Sequence, residues 1–346
     1  MIRRIFRRVG FERFAIALTG LCIAFLYLLV ALDHSGTGAA EAASPADAAM
    51  RRAAADVVAD AAMPRLIKPV EVFAVAPNTK VADVFGRIGY HLEAVRRHGE
   101  VPRVFLATLP EDLPSIRGVA KRKAVFIQTA LPLILHVNEL ILHDRARIKA
   151  LKAAFDAGAE VSGGDRVWLA DKAAEYGLEK IDYEALLRRV DVIPPSLALA
   201  QSAEESGWGT SRFAQQGNSL FGQRVWKPHR KGLVPEGRPD GERFRVRAFD
   251  HLIDAVKSYA RNLNVHNAYD EFRRARAALR RDEGRLDGYS LTATLHRYSE
   301  RGRDYVETLR AIIRVNGLGF FDSVRLGDRI TLDDGEDGAI HGPPDA

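Results

Sequence analysis

Residues Leu197 to Trp226 read LALAQSAEESGWGTSRFAQQGNSLFGQRVW, the densest chemistry in a chain of 346 residues. Ile193-Pro194-Pro195 opens this stretch, and Glu204, Glu205 and Gly207 follow a run of alanine and leucine. Proline is tolerated in a first helical turn and glycine suits a left-handed cap, so the spacing predicts a helix from the prolines to Gly207. Gln201, Glu205 and Trp208 fall at i, i+4, i+7 and are expected on one face. A carboxyl group among apolar and aromatic neighbours loses hydration, stays protonated to higher pH and can donate a proton. Glycoside hydrolysis asks this of one carboxylic acid, which protonates the leaving oxygen. The run is too uniformly apolar for periodicity to choose between Glu204 and Glu205. Two solvated glutamates beside a core tryptophan would give the same string.

Upstream, Val119 to Phe155 carries the strongest helical signal, with Leu133, Val137, Leu140 and Ile141 at helical spacing. Pro132 is expected to break or kink it. His136 and His143 lie two turns apart, about 10 Å along the axis, which is too far for one metal ion. Shorter helices are predicted around Trp168–Gly177 and Asp182–Val190. Downstream, Arg243 to Phe249 reads RFRVRAF and alternates like a half-buried strand. Asp250 is expected to cap the next helix, whose stripe is Ile253, Val256, Tyr259, Ala260 and Leu263. Leu291, Leu295 and Tyr298 share a face, and a last helix runs from Tyr305 to Val315. The fold class read from this pattern is mainly α (α+β) with one small β excursion.

The N-terminus has a different character. Phe14 to Leu32 is FAIALTGLCIAFLYLLVAL, 19 residues without a charge. As a helix it spans about 28 Å, close to the hydrocarbon thickness of a bilayer. Arginines precede it, so its N-terminus is expected inside and the bulk of the chain outside. A cleaved signal peptide is the alternative. The formal net charge is +6, and five arginines against Glu12 in residues 1–13 supply most of it. The rest of the chain is nearly neutral, which argues against a nucleic-acid partner. The single cysteine, Cys22, excludes an internal disulfide framework and a multi-cysteine metal site. No metal or organic cofactor is expected, because the sequence has no ligand spacing and no phosphate-cradling glycine loop.

Glu205-Ser206-Gly207-Trp208-Gly209 followed by Asn218-Ser219-Leu220-Phe221-Gly222 resembles the glucosaminidase domain of bacterial peptidoglycan hydrolases, glycoside hydrolase family 73. Together with VPRVFLATLP and YSERGRDYVETLR, the wider chain resembles the Bax-type branch of that family. The resemblance implies a lysozyme-like fold with a small β-hairpin lobe. It also implies hydrolysis of the β-1,4 bond from N-acetylglucosamine to N-acetylmuramic acid in peptidoglycan glycan strands. On this resemblance Glu205 takes the general-acid position, Asn218, Phe221 and Gly222 match the loop beside the cleft, and Phe221 and Trp208 are either sugar contacts or core supports. Tyr298 aligns with the family's tyrosine, although Ser-Glu-Arg-Gly replaces its usual Ala-Thr-Asp-Pro. Tyr305 is a further groove candidate, although its apolar neighbours favour the core. For a second catalytic carboxylate, Glu236, Asp240 and Glu242 lie in the β region, and Glu242, directly before the predicted strand, is the choice. Attack by the substrate's own N-acetyl group needs no protein nucleophile. A lytic transglycosylase and an inactive wall-binding scaffold are the competing readings.

The implied organisation is a cytoplasmic basic tail (1–13), an inner-membrane anchor (14–32), an Ala-rich tether (33–75) and a helical Bax-type region (76–190). A periplasmic glucosaminidase domain (191–322) and a flexible acidic tail (323–346) complete it.

Overall fold

The computed structural model describes residues 72–75, 79–282, 284–327 and 340–341. The predicted basic tail and membrane anchor lie outside these residues.

The centre is α3 (Val119–Asp156), flanked upstream by β1 (Val72–Val75), α1 (Val81–Arg87), α2 (Leu92–His98), β2 (Glu100–Val101) and β3 (Phe105–Leu106). Every residue of α3 from Val125 to Asn138 is buried. A helix covered on all sides needs apolar groups on all sides, which is why this one is long and apolar enough to cross a membrane by composition. It is instead the core helix of the domain, with 83% of its apolar window buried. Pro132 does not break it: the helix continues unbroken through the proline. The cost of one missing backbone hydrogen bond is offset by packing around the full circumference. Buried His136 lies against Phe105, and half-exposed His143 pairs with Asp144, so the two histidines do separate jobs.

Two short helices follow, α4 (Gly163–Glu175) and α5 (Tyr183–Arg189), each started by a side chain that accepts from a backbone amide, Ser162 and Asp182. Then comes α6 (Pro195–Ser206), which bears Glu205. Two polar side chains from elsewhere in the chain fix this helix in place. Asn138 of α3 donates to the Ile193 carbonyl at 2.8 Å and accepts from the Ile193 amide at 3.1 Å. Asp322 accepts from the Ser196 amide and hydroxyl, both at 2.7 Å, and from the Gly288 amide at 2.9 Å. A carboxylate at a helix N-terminus satisfies free amides and complements the helix dipole.

After α7 (Arg212–Gly217), β4 (Arg224–Val225), β5 (Gly232–Leu233) and β6 (Arg245–Arg247) form an antiparallel lobe in the order β4-β6-β5. Val246 is its buried centre, facing Arg224 on one side and Leu233 on the other. The next helix, α8 (Leu252–Val265), buries the whole predicted stripe against α3. Its N-cap is His251, not Asp250, which instead forms an ion pair with Lys231.

The sequence reading did not contain α9 (Asp270–Asp282, DEFRRARAALRRD). Its buried face is Phe272, Arg273 and Arg276, so its periodicity is written largely in arginine and escapes an apolar count. Arg276, fully buried, donates to the carbonyls of Arg188, Asp191 and Val192 and to Asn264 Oδ1. Arg280 grips Asp191 through two nitrogens. The run containing Leu291 and Leu295 is α10 (Gly288–Leu291) continued by a 3₁₀ turn, and α11 (Arg303–Val315) packs on α6.

The predicted tether and tail contribute strands at their ends. β1 lies parallel to β3 and antiparallel to β8 (Ile340–His341), and β7 (Arg325–Leu326) lies parallel to β2. A Gly/Asp-rich segment carries little side-chain signal for such pairing, because backbone groups make it.

Candidate active site

Glu205 is the penultimate residue of α6 and opens into a cleft of about 830 Å³. Gly207, in the left-handed conformation, ends the helix as expected. Trp208 and Gly209 also have positive φ, 57° and 78°, so the chain turns away sharply just past the carboxylate. A Cβ on Gly209 would approach Leu113 to 2.7 Å and Phe126 to 2.9 Å, so no side chain fits there. Ser206 accepts from the Gly209 amide at 2.8 Å and staples the turn. Trp208 therefore does not share a helical face with Glu205. It packs edge-on against Phe126 with the Lys123 ammonium 4.5 Å from its ring, and it anchors α6 to α3 away from the cleft wall.

The second half of the pattern closes the opposite side. Asn218, buried with φ 50°, donates to the Phe249 and Asp250 carbonyls and ties this loop to the β lobe; it too is off the cleft wall. Phe221 lines the cleft and stacks on Tyr259 at 3.9 Å. Gly222 has φ 58°, and a Cβ there would sit 2.9 Å from Glu205 Oε2. The glycine thus lets backbone approach the carboxylate directly.

Behind Glu205 runs a buried relay. Tyr259 donates to Gln201 Oε1 at 2.7 Å, and Gln201 Nε2 donates to the Tyr305 hydroxyl at 3.0 Å. The Tyr305 proton is left for Glu205, with which it is hydrogen-bonded. Tyr305 is fully buried, so it supports the carboxylate from behind and is not the groove contact expected from sequence. Tyr298 does line the cleft; it stacks parallel on Tyr305 and donates to the Phe221 carbonyl at 3.2 Å.

Burial pushes the Glu205 carboxyl above its ordinary pKa; the Tyr305 hydrogen bond opposes this, Glu204 adds to it, and Arg301 and Arg224 oppose it. The C-terminal end of a helix carries partial negative charge and acts in the same direction as burial. The neighbouring carboxylate is in a different state: Glu204 pairs with Arg301, which also donates to Thr308 at 2.7 Å. Two adjacent glutamates are thereby separated into an ion-paired one and a desolvated one.

Glu242 is exposed in the turn before β6 and does not reach the cleft wall; neither do Asp240 and Glu236, and Glu236 pairs with Arg212 at 3.4 Å. The carboxylate that shares the wall with Glu205 is Glu300, 3.5 Å from Arg224. Sequence position hid it, because it comes from the loop after α10 and not from the β lobe. The run Tyr298-Ser-Glu-Arg was the available signal. Trp226, 61% exposed at the cleft edge, was likewise missed. Among the described residues no group of three or more His, Cys, Asp or Glu could hold a metal ion.

A family model described as mannosyl-glycoprotein endo-beta-N-acetylglucosaminidase, the glucosaminidase domain, matches residues 180–318. The chain is 32% identical to "Protein bax" of Escherichia coli (strain K12) over 219 residues, covering 61% of this chain and 75% of that protein. Among solved structures it is similar to the catalytic domain of the autolysin Auto from Listeria monocytogenes. That match has 17% identity and a TM-score of 0.30, and it covers 49% of this chain and 94% of the autolysin domain. The matched residues 180–318 contain α6, the Gly222 loop, the β lobe and Tyr298, and with a relative shared over three quarters of its length, this chain belongs to the glucosaminidase family.

Proposed function

We propose that this protein is a membrane-anchored peptidoglycan hydrolase that cleaves the β-1,4 bond between N-acetylglucosamine and N-acetylmuramic acid, with Glu205 as general acid. The observation that carries this reading is the desolvated Glu205 carboxyl at the floor of a cleft, with Gly222 pressed against it. Such a group stays protonated and gives its proton to the glycosidic oxygen as the bond to the anomeric carbon breaks. Tyr298 holds the Phe221–Gly222 backbone in place, and Trp226 offers an apolar face at the rim. Phe14–Leu32 would hold the enzyme in the inner membrane with the catalytic domain in the periplasm. The testing experiment is digestion of purified peptidoglycan by the full chain with end-group analysis. New reducing N-acetylglucosamine ends are expected. Anhydro ends would make it a transglycosylase, and wall binding without release would make it a scaffold.

The water-activating role goes to Glu300, the other carboxylate on the cleft wall. Glu300→Gln is expected to lower kcat by about 10²-fold, whereas Glu242→Gln leaves it unchanged. An unaffected Glu300→Gln enzyme would hand attack on the anomeric carbon to the substrate's N-acetyl group. Tyr305→Phe removes the hydrogen bond that draws the Glu205 pKa down, so the alkaline limb of kcat/KM is expected to move to higher pH. A pH–rate profile in which that limb stays put would detach Tyr305 from the acid.

A further inference from the structure

A second groove, about 850 Å³, lies between the β lobe and helices α3, α4 and α8. It adjoins the Glu205 cleft, since Arg247, Ser258 and Arg261 line both. Six lysines and arginines face it against Asp144, Glu175, Asp250 and Asp254. The carboxylates are not spread evenly. Lys172 takes Asp144 at 2.7 Å and Glu175 at 2.8 Å, and Lys231 takes Asp250. Among the described residues Arg230, Lys257 and Arg261 have no carboxylate within ion-pair distance. Arg247 donates to Ser258 at 2.6 Å and lies over the Phe249 ring, which orients its guanidinium. Burial lowers the Arg247 pKa, and nearby Arg230 lowers it further, with Asp254 opposing. Arg230, Arg247, Lys257 and Arg261 thus share one groove with only Asp254 left unpaired among its acids, and guanidinium forks suit a carboxylate from outside.

We propose that this groove binds the free carboxylates of the peptide stems on a peptidoglycan strand, so that the protein selects peptide-bearing glycan over bare glycan. The proposal rests on the function proposed above, and the groove adjoins the Glu205 cleft through the shared Arg247, Ser258 and Arg261. It gives the β lobe a task separate from bond cleavage.

Binding and turnover separate the two readings. The first measurement titrates the full chain, carrying Glu205→Gln to prevent turnover, with the acidic stem peptide released from the wall by an amidase. An Arg230→Glu/Lys257→Glu variant of the same chain is expected to bind this peptide about tenfold more weakly, as is the parent chain with an amide-capped peptide. Both substituted positions are exposed, so the fold is spared, and Arg230→Gln alone provides a milder check in the same direction. The second measurement compares KM of the unmodified enzyme on intact and amidase-stripped glycan, where intact glycan is expected to show the lower value. Undiminished peptide binding in the double variant, or inorganic phosphate displacing the peptide at equal concentration, would overturn the proposal. Equal KM on the two glycans would overturn it as well. Peptide binding that depends on Arg230 and Lys257, without turnover of either glycan, would retain the groove and reject the hydrolase.

Discussion

Glu205→Gln is expected to abolish release of reducing ends from peptidoglycan, with kcat falling by about 10²- to 10⁴-fold, the usual contribution of a positioned acid. The amide is the same size and still accepts from Tyr305, but it has no proton to give. The wild-type pH profile carries the complementary signature. Burial raises the Glu205 pKa, so the protonated form persists above the ordinary carboxylate range and kcat/KM falls as pH rises through the raised value. The same shift has a sign for stability. A carboxyl whose folded pKa is raised contributes stability below its unfolded pKa and loses it as pH rises through the folded one. Glutamine removes that loss, so the inactive variant is expected to unfold at neutral pH no lower in temperature than the wild type. A variant that is inactive and also unfolds earlier would mean that the acid had been misassigned and a structural group removed.

The second large effect is on stability. Asp191 is 2% exposed and joins two helices: its carboxylate meets Arg280 of α9 and, at 3.6 Å, Arg145 of α3, while Arg276 of α9 donates to its backbone carbonyl. Asp191→Ala strands the part-buried guanidiniums of Arg280 and Arg145, while Arg276 keeps its bonds to backbone carbonyls, and is expected to cost about 3–5 kcal/mol, seen as a drop in Tm of roughly 10 °C. Burial pushes the Asp191 carboxyl up, but the Arg280 hydrogen bonds and the charges of Arg276, Arg145 and Arg280 bring it below the usual value. A lowered pKa means stability present above the ordinary carboxylate range and lost as pH falls through the folded value. Wild-type chain is therefore expected to lose its advantage over Asp191→Ala in acid. A variant as stable as wild type at pH 7 would show that Arg276, through its bonds to backbone carbonyls, holds the junction alone.

What the sequence could convey divides along the range of the interactions. The α6 helix, its stop at Gly207, the buried stripe of α8 and the central strand of the β lobe all follow from neighbours within a few positions. The glycines of the Glu205–Gly222 stretch were visible as a pattern, but their reasons were not: Gly209 is forced by Leu113 and Phe126, and Gly222 by Glu205 itself. The role of Trp208 was misjudged by extending helical periodicity one residue past the cap. Glu300 was missed because which carboxylate faces Glu205 depends on how a loop almost a hundred residues away is folded back. The helix α9 was missed because its inward face is satisfied by carbonyls and Asp191, and burying arginine against such partners leaves no apolar rhythm to find.

The pairing of β7 with β2 joins residues separated by 225 positions, with Arg325 reaching Glu100 and the Gly327 amide closing on Val101. Closing a loop of that span costs conformational entropy before the contact returns anything. The upstream segments depend on this distant strand, and Asp322, which seats α6, lies just before it. Loss of the segment from Asp322 onward would therefore unseat α6, and with it Glu205, from 126 positions away.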